Sequence, residues 1–277
     1  MGSSSPVQST AADSKLHATE PILEARGISK YFGAVTALEE VNLRLAPGEV
    51  LGVVGDNGAG KSTLMKVLSG LYPPSKGEIY FQGQRVQYSS PRDARNLGIE
   101  MVYQDLALAG NLQIDENIFL NREPTRSYLG GLIKLVDHKA NRRQAQEHLD
   151  KLRISVKSVT QRVEELSGGQ RQAVAIARAT AFSAKVVIMD EPTAALAIKE
   201  VGKVLDLIKG LSDVGVSVIL ISHRMDDIFY VCDRIQALFH GRNFAESRLE
   251  DTSRNEVIGW VMGSDAHRSE AVNGQEA

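Results

Sequence analysis

Residues able to hold a triphosphate stand together in one short stretch. Gly55-Asp56-Asn57-Gly58-Ala59-Gly60-Lys61-Ser62-Thr63 has the spacing G-x-x-x-x-G-K-S, in which glycines let backbone amides turn toward an anion at angles other residues resist. Lys61 would reach the β- and γ-phosphates, and the Ser62 hydroxyl would ligate Mg²⁺. A glycine-rich turn that carries a lysine by chance is the plainer alternative. Further along, Val186-Val187-Ile188-Met189-Asp190-Glu191 is an apolar run ending in two acids. A buried strand with that ending delivers both carboxylates to its C-terminal edge, where sites on such sheets lie. There Asp190 would hold the metal and Glu191 would accept a proton from the attacking water. The alternative is an acid pair opening a helix, since Pro192-Thr193 follows. Leu166-Ser167-Gly168-Gly169-Gln170 sits directly before a long helix-forming run. It is a second anion-accepting helix start, or an ordinary serine-capped one. One chain with one nucleotide has little use for two phosphate sites. A head-to-tail dimer explains both: Ser167, Gly168, Gly169 and Gln170 close on the nucleotide held by the partner.

The elements around these stretches suit the chemistry. Val50-Leu51-Gly52-Val53-Val54 reads as a buried strand entering the glycine loop, and Thr63 to Ser69 as the helix leaving it. Before the loop, Ile22 to Lys30 and Thr36 to Leu45 alternate as strands, with Val41, Leu43 and Leu45 on one face. Ile79-Tyr80-Phe81 and Arg85-Val86-Gln87 predict a hairpin. Pro91 to Leu97 predicts a short helix capped by Ser90, followed by a strand from Ile99 to Tyr103. From Asp105 to Ile154 the β signal fades, and Asp137 to Leu152 and Arg171 to Phe182 read as helices. After that come a strand at Lys185–Met189, a helix at Ile198–Leu211, a strand at Val216–Ile221, a helix at Met225–Val231, a strand at Arg234–Phe239 and a closing helix at Asn255–Met262. Strands alternating with helices after the loop imply a parallel sheet joined by right-handed crossovers. The stretch from Asp105 to Phe182 interrupts it and is expected to be an inserted subdomain.

Composition narrows the class. The chain has 277 residues with a net charge of −2, room for one large α/β domain and too little positive charge for a dedicated nucleic-acid binder. Its one cysteine, Cys232, excludes a disulfide framework and a zinc cluster and is expected in the core. No apolar run approaches the ~18 residues of a membrane span. Residues 1–20 and 265–277 are polar and read as a disordered leader and tail.

Taken together, the motifs resemble those of the nucleotide-binding subunits of ATP-binding cassette transporters. The run Leu166-Ser167-Gly168-Gly169-Gln170-Arg171-Gln172 carries most of the likeness, which covers Ile22 to Gly263. It implies an α/β fold: a P-loop NTPase (RecA-like) core at 21–104 and 183–264 with an antiparallel β subdomain, and an inserted α-helical subdomain at 105–182 bearing the signature motif. By the same resemblance Tyr31 matches an aromatic that stacks on adenine, or packs in the core. Gln104 matches a glutamine that senses Mg²⁺ and the water and links to a membrane subunit; it is otherwise a strand-end polar residue. His223 matches a histidine that contacts the γ-phosphate, or caps a helix. A finer likeness, in Asp56-Asn57-Gly58-Ala59-Gly60, Ser222-His223-Arg224-Met225 and Asn255-Glu256-Val257-Ile258, is to importers of ribose, xylose, fructose and similar monosaccharides. Chains of that class commonly carry two cassettes, whereas this one shows a single phosphate loop. One departure stands out: Ala194-Ala195-Leu196-Ala197 replaces the usual Ser-Ala-Leu-Asp, which puts in doubt how tightly two sites communicate.

The resemblance implies an ATPase that uses ATP and Mg²⁺ on the cytoplasmic face of the cell membrane as a peripheral subunit. It would pair with a second copy or another nucleotide-binding subunit, dock on a transmembrane permease and serve an external sugar-binding protein, with no nucleic acid. Leu106, Leu108 and Leu112 form either the docking groove or core of the inserted subdomain. A soluble cassette ATPase acting on ribosomes or DNA is the alternative.

Overall fold

A computed structural model describes residues 20–128 and 133–264. The expected polar tail, and the expected leader apart from Glu20, lie outside the described residues. Strands β1 (Leu23–Phe32) and β2 (Val35–Leu45) precede β3 (Val50–Val54), which enters the glycine loop, and helix α1 (Lys61–Leu68) leaves it. Then come β4 (Lys76–Phe81), β5 (Gln84–Val86), α2 (Pro91–Leu97), β6 (Ile99–Val102) and α3 (Ile114–Ile118). A hairpin of β7 (Thr125–Tyr128) and β8 (Ile133–Val136) leads to α4 (His138–Lys151) and α5 (Gly168–Thr180). The chain closes with β9 (Val186–Asp190), α6 (Ile198–Asp213), β10 (Ser217–Ile221), α7 (Met225–Val231), β11 (Arg234–Phe239), β12 (Arg242–Arg248) and α8 (Arg254–Val261).

Two larger sheets form. One is antiparallel in the order β2-β1-β4-β5; the other runs β12-β11-β3-β10-β9-β6. In the second, β11, β3, β10, β9 and β6 are mutually parallel and β12 is an antiparallel edge. Every residue of β3 and β10 is buried, as expected of central strands covered on both faces. Their side chains alternate between two cores. Leu51, Val53, Ile188 and Ile219 join the antiparallel sheet and α1, while Val50, Val54, Val187 and Val218 join α5 and α6. The main sheet is thus the middle layer, and its parallel strands end on one edge.

Several helices start where the sequence supplies a side-chain partner for the first amides, as at Ser90, Asp137, Ser167 and Ser253. Ser90 Oγ accepts from Asp93 N at 3.3 Å, and Ser167 and Gln170 form a reciprocal capping box on α5. Thus α5 begins at Gly168, earlier than the alanine-rich run at Arg171 suggests. Cys232 is buried as expected, and so is Trp260 on α8. Leu106 and Leu108 are half-buried against the α5–α6 core, which favours the core alternative for them.

The β7–β8 hairpin was not expected in the inserted segment, which is therefore not wholly helical. Its strands are four residues each, and Leu135 and Val136 on β8 are exposed, so no alternation of buried and exposed positions marks them. Helix α6 opens at Ala197, whose backbone is extended but whose side chain gives no capping bond. Ala197→Ser should supply that cap, adding about 1 kcal/mol and raising the thermal midpoint by about 2–4 °C, measurable by calorimetry.

Candidate functional site

The glycine loop is held in shape by packing as well as by sequence. Gly55 has φ 150, and a Cβ there would stand 2.3 Å from the Leu238 carbonyl oxygen. Gly60 has φ 99, and a Cβ there would meet Leu38 Cδ2 at 2.7 Å and the Ala37 carbonyl at 2.8 Å. Only glycine fits both places. Asp56, Asn57 and Gly58 form the exposed tip, where Asp56 Oδ1 accepts from Asn57 N at 2.7 Å. Ala59 is buried, and its carbonyl accepts from Gly241 N at 3.1 Å. Lys61 is buried and donates to the carbonyls of Gly55 at 2.7 Å and Asp56 at 3.0 Å. Burial holds its pKa below the ordinary lysine value. Ser62 and Thr63 lie in the first turn of α1, and the Ser62 hydroxyl faces the Asp190 carboxyl, acting against the effect of burial on its pKa.

Because β3, β6, β9 and β10 run parallel, their C-terminal ends bring the loop, Gln104, Glu191 and His223 to one edge. Burial raises the pKa of both Asp190 and Glu191. Lys61 opposes the effect on each, and their mutual repulsion adds to it at Glu191. Glu191 is in the left-handed region at φ 52, its N–H tied to the Ile221 carbonyl at 3.0 Å. A non-glycine residue held there stores strain. His223 Nε2 lies 3.2 Å from Glu191 Oε1, off the line of a hydrogen bond, so that buried oxygen has none. An orphaned acceptor and two desolvated carboxylates beside a serine hydroxyl suit a hard dication and a polarised water. Among the described residues no cluster of three or more His, Cys, Asp or Glu could hold a metal by itself. Mg²⁺ fits that pattern, since it is usually held by one or two protein groups plus phosphate oxygens.

Gln104 is exposed. It lines a cavity of about 470 Å³ shared with Gly168, Arg171, Glu191 and Pro192. Tyr31 has a partly exposed ring with Lys76 Nζ 5.9 Å from its centroid, and pairs across β2 with Thr36. The next residue, Ala37, abuts Gly60, so Tyr31 stands beside the loop. Ser167, Gly169 and Gln170 instead line a separate cavity of about 700 Å³ between α4, α5 and α6. No hydrogen bond among the described residues joins Ser167, Gly168, Gly169 or Gln170 to the glycine loop of the same chain.

A family model described as ABC transporter matches residues 38–194. The fructose import ATP-binding protein FrcA of Rhizobium meliloti is 45% identical over 257 residues, covering 92% of this chain and 99% of that one. The chain belongs to the ABC transporter family. The xylose/arabinose import ATP-binding protein XylG of Sulfolobus acidocaldarius is 45% identical over 236 residues, 85% of this chain and 92% of that one. Among solved structures, the dimeric post-hydrolysis state of the ATP-binding cassette MJ0796 bound to ADP and Pi superposes with a TM-score of 0.67 at 28% identity, covering 82% of this chain and 98% of that chain. The chain is therefore an ABC-type ATPase cassette, and the α/β architecture expected from its motifs is the one found.

Two features of this cassette were not expected from its motifs. Thr193, fully buried, donates its hydroxyl to Asp227, which is 1% exposed, and Arg224 Nε reaches the other Asp227 oxygen at 3.3 Å. Asp227 thus ties the Glu191 turn to the His223 turn across a long sequence gap. The second is Glu200 on α6, whose side chain lies against Gly168 and Gly169 and whose pKa is held below the ordinary glutamate value by the Ser167 hydroxyl and the Gly169 amide. Acids in the first turn of a helix are common, so neither residue was separable by pattern alone.

Two outcomes follow from this geometry. Glu191→Gln should stop hydrolysis and also stabilise the nucleotide-free chain by about 1 kcal/mol, or about 2–4 °C. The raised pKa makes ionisation unfavourable in the fold, so the penalty is absent below the ordinary carboxylate range and grows as pH rises through it. The gain should therefore appear at pH 7 and vanish near pH 4 in melts of both proteins. Asp227→Asn should lower kcat about tenfold with KM for ATP within about twofold, equivalent to about 1.4 kcal/mol of transition-state stabilisation. In a His223→Ala background it should cost little more, which steady-state assays of the double mutant check.

Proposed function

We propose that this cassette is the ATP-hydrolysing subunit of an importer for a monosaccharide of the ribose, xylose or fructose kind. It works at the cytoplasmic face of the membrane as a peripheral subunit beneath a separate permease. The observation that carries the enzymatic part is the convergence of Lys61, Ser62, Asp190, Glu191 and His223 on one strand edge. The sugar assignment rests on relatives whose names are those of fructose and xylose/arabinose import proteins. Those names also favour transport over the ribosome or DNA alternative.

Two chains would face each other, each holding ATP at its glycine loop and completing the partner's site with Ser167–Gln170. The dimeric cassette similar to this one supports that arrangement. Backbone amides of Asn57 to Lys61 and the ammonium of Lys61 would hold the phosphates, with Lys61 leaving its two loop carbonyls to do so. Ser62 and Asp190 would hold Mg²⁺, which when bound offsets charge on the phosphate oxygens. Tyr31 offers a face for adenine, a contact worth about 1–3 kcal/mol in comparable cases. Glu191, raised by burial, accepts a proton from the water, and His223 holds its carboxylate side and meets the γ-phosphate. Loss of such a base costs about 10²–10⁴-fold. Gln104, at the mouth of the cavity shared with Glu191, would couple this edge to the segment that meets the permease. Arg178 fixes that segment by donating to the carbonyls of Leu106 and Ala107, each at 2.7 Å.

The test is a pull-down from gently solubilised native membranes with the Glu191→Gln chain held in ATP. A multi-span permease, and a sugar-binding protein encoded near it, should be recovered. Ribosomes or nucleic acid without a permease would overturn the transport assignment.

A further inference from the structure

The start of α5 is faced by a carboxyl group from the same chain, that of Glu200. Ser167 Oγ accepts from Gln170 N at 3.3 Å and Gln170 Oε1 accepts from Ser167 N at 3.1 Å. The cap thus uses those two amides. The donors left for an incoming anion are the Ser167 hydroxyl and the amides of Gly168 and Gly169. The Glu200 carboxyl faces that hydroxyl and the Gly169 amide. The fit is close: a Cβ on Gly169 would stand 2.8 Å from Glu200 Cβ, and a Cβ on Gly168 would stand 3.3 Å from Glu200 Oε2. Both glycines are therefore needed for Glu200 to lie against this turn. These contacts, with Arg171 and Lys203 nearby, hold the Glu200 carboxyl below the ordinary glutamate value.

We propose that Glu200 is an internal stopper, holding the donors at the start of α5 until the γ-phosphate on the partner's nucleotide displaces it. This rests on the dimer reading above, in which Ser167–Gln170 completes the partner's site. A carboxylate and a phosphate oxygen compete for the same two donors, and both anions cannot hold them together. Glu200 also has somewhere to go. Lys203 lies three residues on along α6 and lines the same cavity of about 700 Å³, so a rotamer change moves the carboxylate from Ser167 and Gly169 to Lys203. Closure of the dimer would then exchange one ion contact for another. ATP would have to outcompete Glu200 before the two chains lock, which holds back closure at low ATP.

The experiment measures ATP-driven dimerisation of the Glu191→Gln protein by sedimentation velocity across an ATP titration. Adding Glu200→Gln should lower the ATP midpoint about three- to tenfold, while lowering the thermal midpoint of the nucleotide-free monomer, because α5 loses its anion. A purely structural role would weaken both together. Glu200→Asp keeps the charge but is one methylene too short to reach, and should shift the midpoint the same way; it decides the matter if Glu200→Gln does not fold. Lys203→Ala should shift the midpoint upward. If the parent dimerises and the Glu200 variants leave the midpoint unchanged or raise it, the stopper is overturned and the dimer reading stands. If the parent stays monomeric at saturating ATP, both fall.

Discussion

The structure is organised by the cost of keeping two adjacent carboxylates out of water at the end of one strand. Asp190 and Glu191 are both pushed up by burial, and at Glu191 the repulsion between them adds to it. In water such a pair would repel weakly and would do little chemistry. At a dry sheet edge the same charges are poised to bind a dication and to take a proton. Lys61, buried and itself pushed down, is the one ammonium that opposes both. Burial of charge at this edge works against the stability of the fold, a conflict common where activity needs desolvated groups.

A parallel sheet suits that demand because it collects the ends of distant segments on one side. The buried strands β3, β9 and β10 give a rigid base, with alternate side chains fixed in two cores. The loop after β3 is then clamped from outside. The Leu238 carbonyl leaves no room for a side chain at Gly55, and the Ala37 carbonyl and Leu38 side chain leave none at Gly60. The antiparallel sheet therefore helps shape the phosphate site, in addition to placing Tyr31 near it. Asn42, on β2, accepts at its carbonyl from Gln236 and Asn243 of the main sheet, at 2.6 and 2.8 Å, which joins the two sheets.

What could be read from the sequence is what chemistry forces into a fixed spacing. Phosphate binding demands glycines at set intervals and a lysine after them, so Gly55 to Ser62 was legible. A strand that ends in two acids was legible because apolar β-branched residues and carboxylates rarely adjoin otherwise. Ser167 and Gln170 were legible as a helix start for the same reason. The β7–β8 hairpin was not, since the described side chains of its short strands, at 125–127 and 134–136, are all exposed and show no alternation. Nor was the tie from Thr193 to Asp227. It links residues far apart in sequence, and each alone reads as an ordinary threonine or a first-turn acid. Pair contacts of that kind exist only once the sheet has brought α7 beside the Glu191 turn.

The segment from Glu191 to Glu200 binds these features into one mechanical unit. It starts at the strained base, passes Thr193, locked to Asp227, and then Leu196. The Leu196 side chain lies 3.2 Å from the place a Cβ would occupy on Gly168. It ends at Glu200, seated on the start of α5. One face of this segment lines the cavity of Gln104 and Glu191, and its end lines the cavity of Ser167 and Glu200. The two cavities thus share a single stretch of backbone. Ala197, which breaks the family's usual acidic pattern, sits within it. Without an aspartate there, communication between the sites of the proposed dimer would fall to the segment itself. In the proposed dimer, displacing Glu200 at one end would load the turn that carries Glu191 at the other, and coupling would run through backbone position rather than through a bridging side chain.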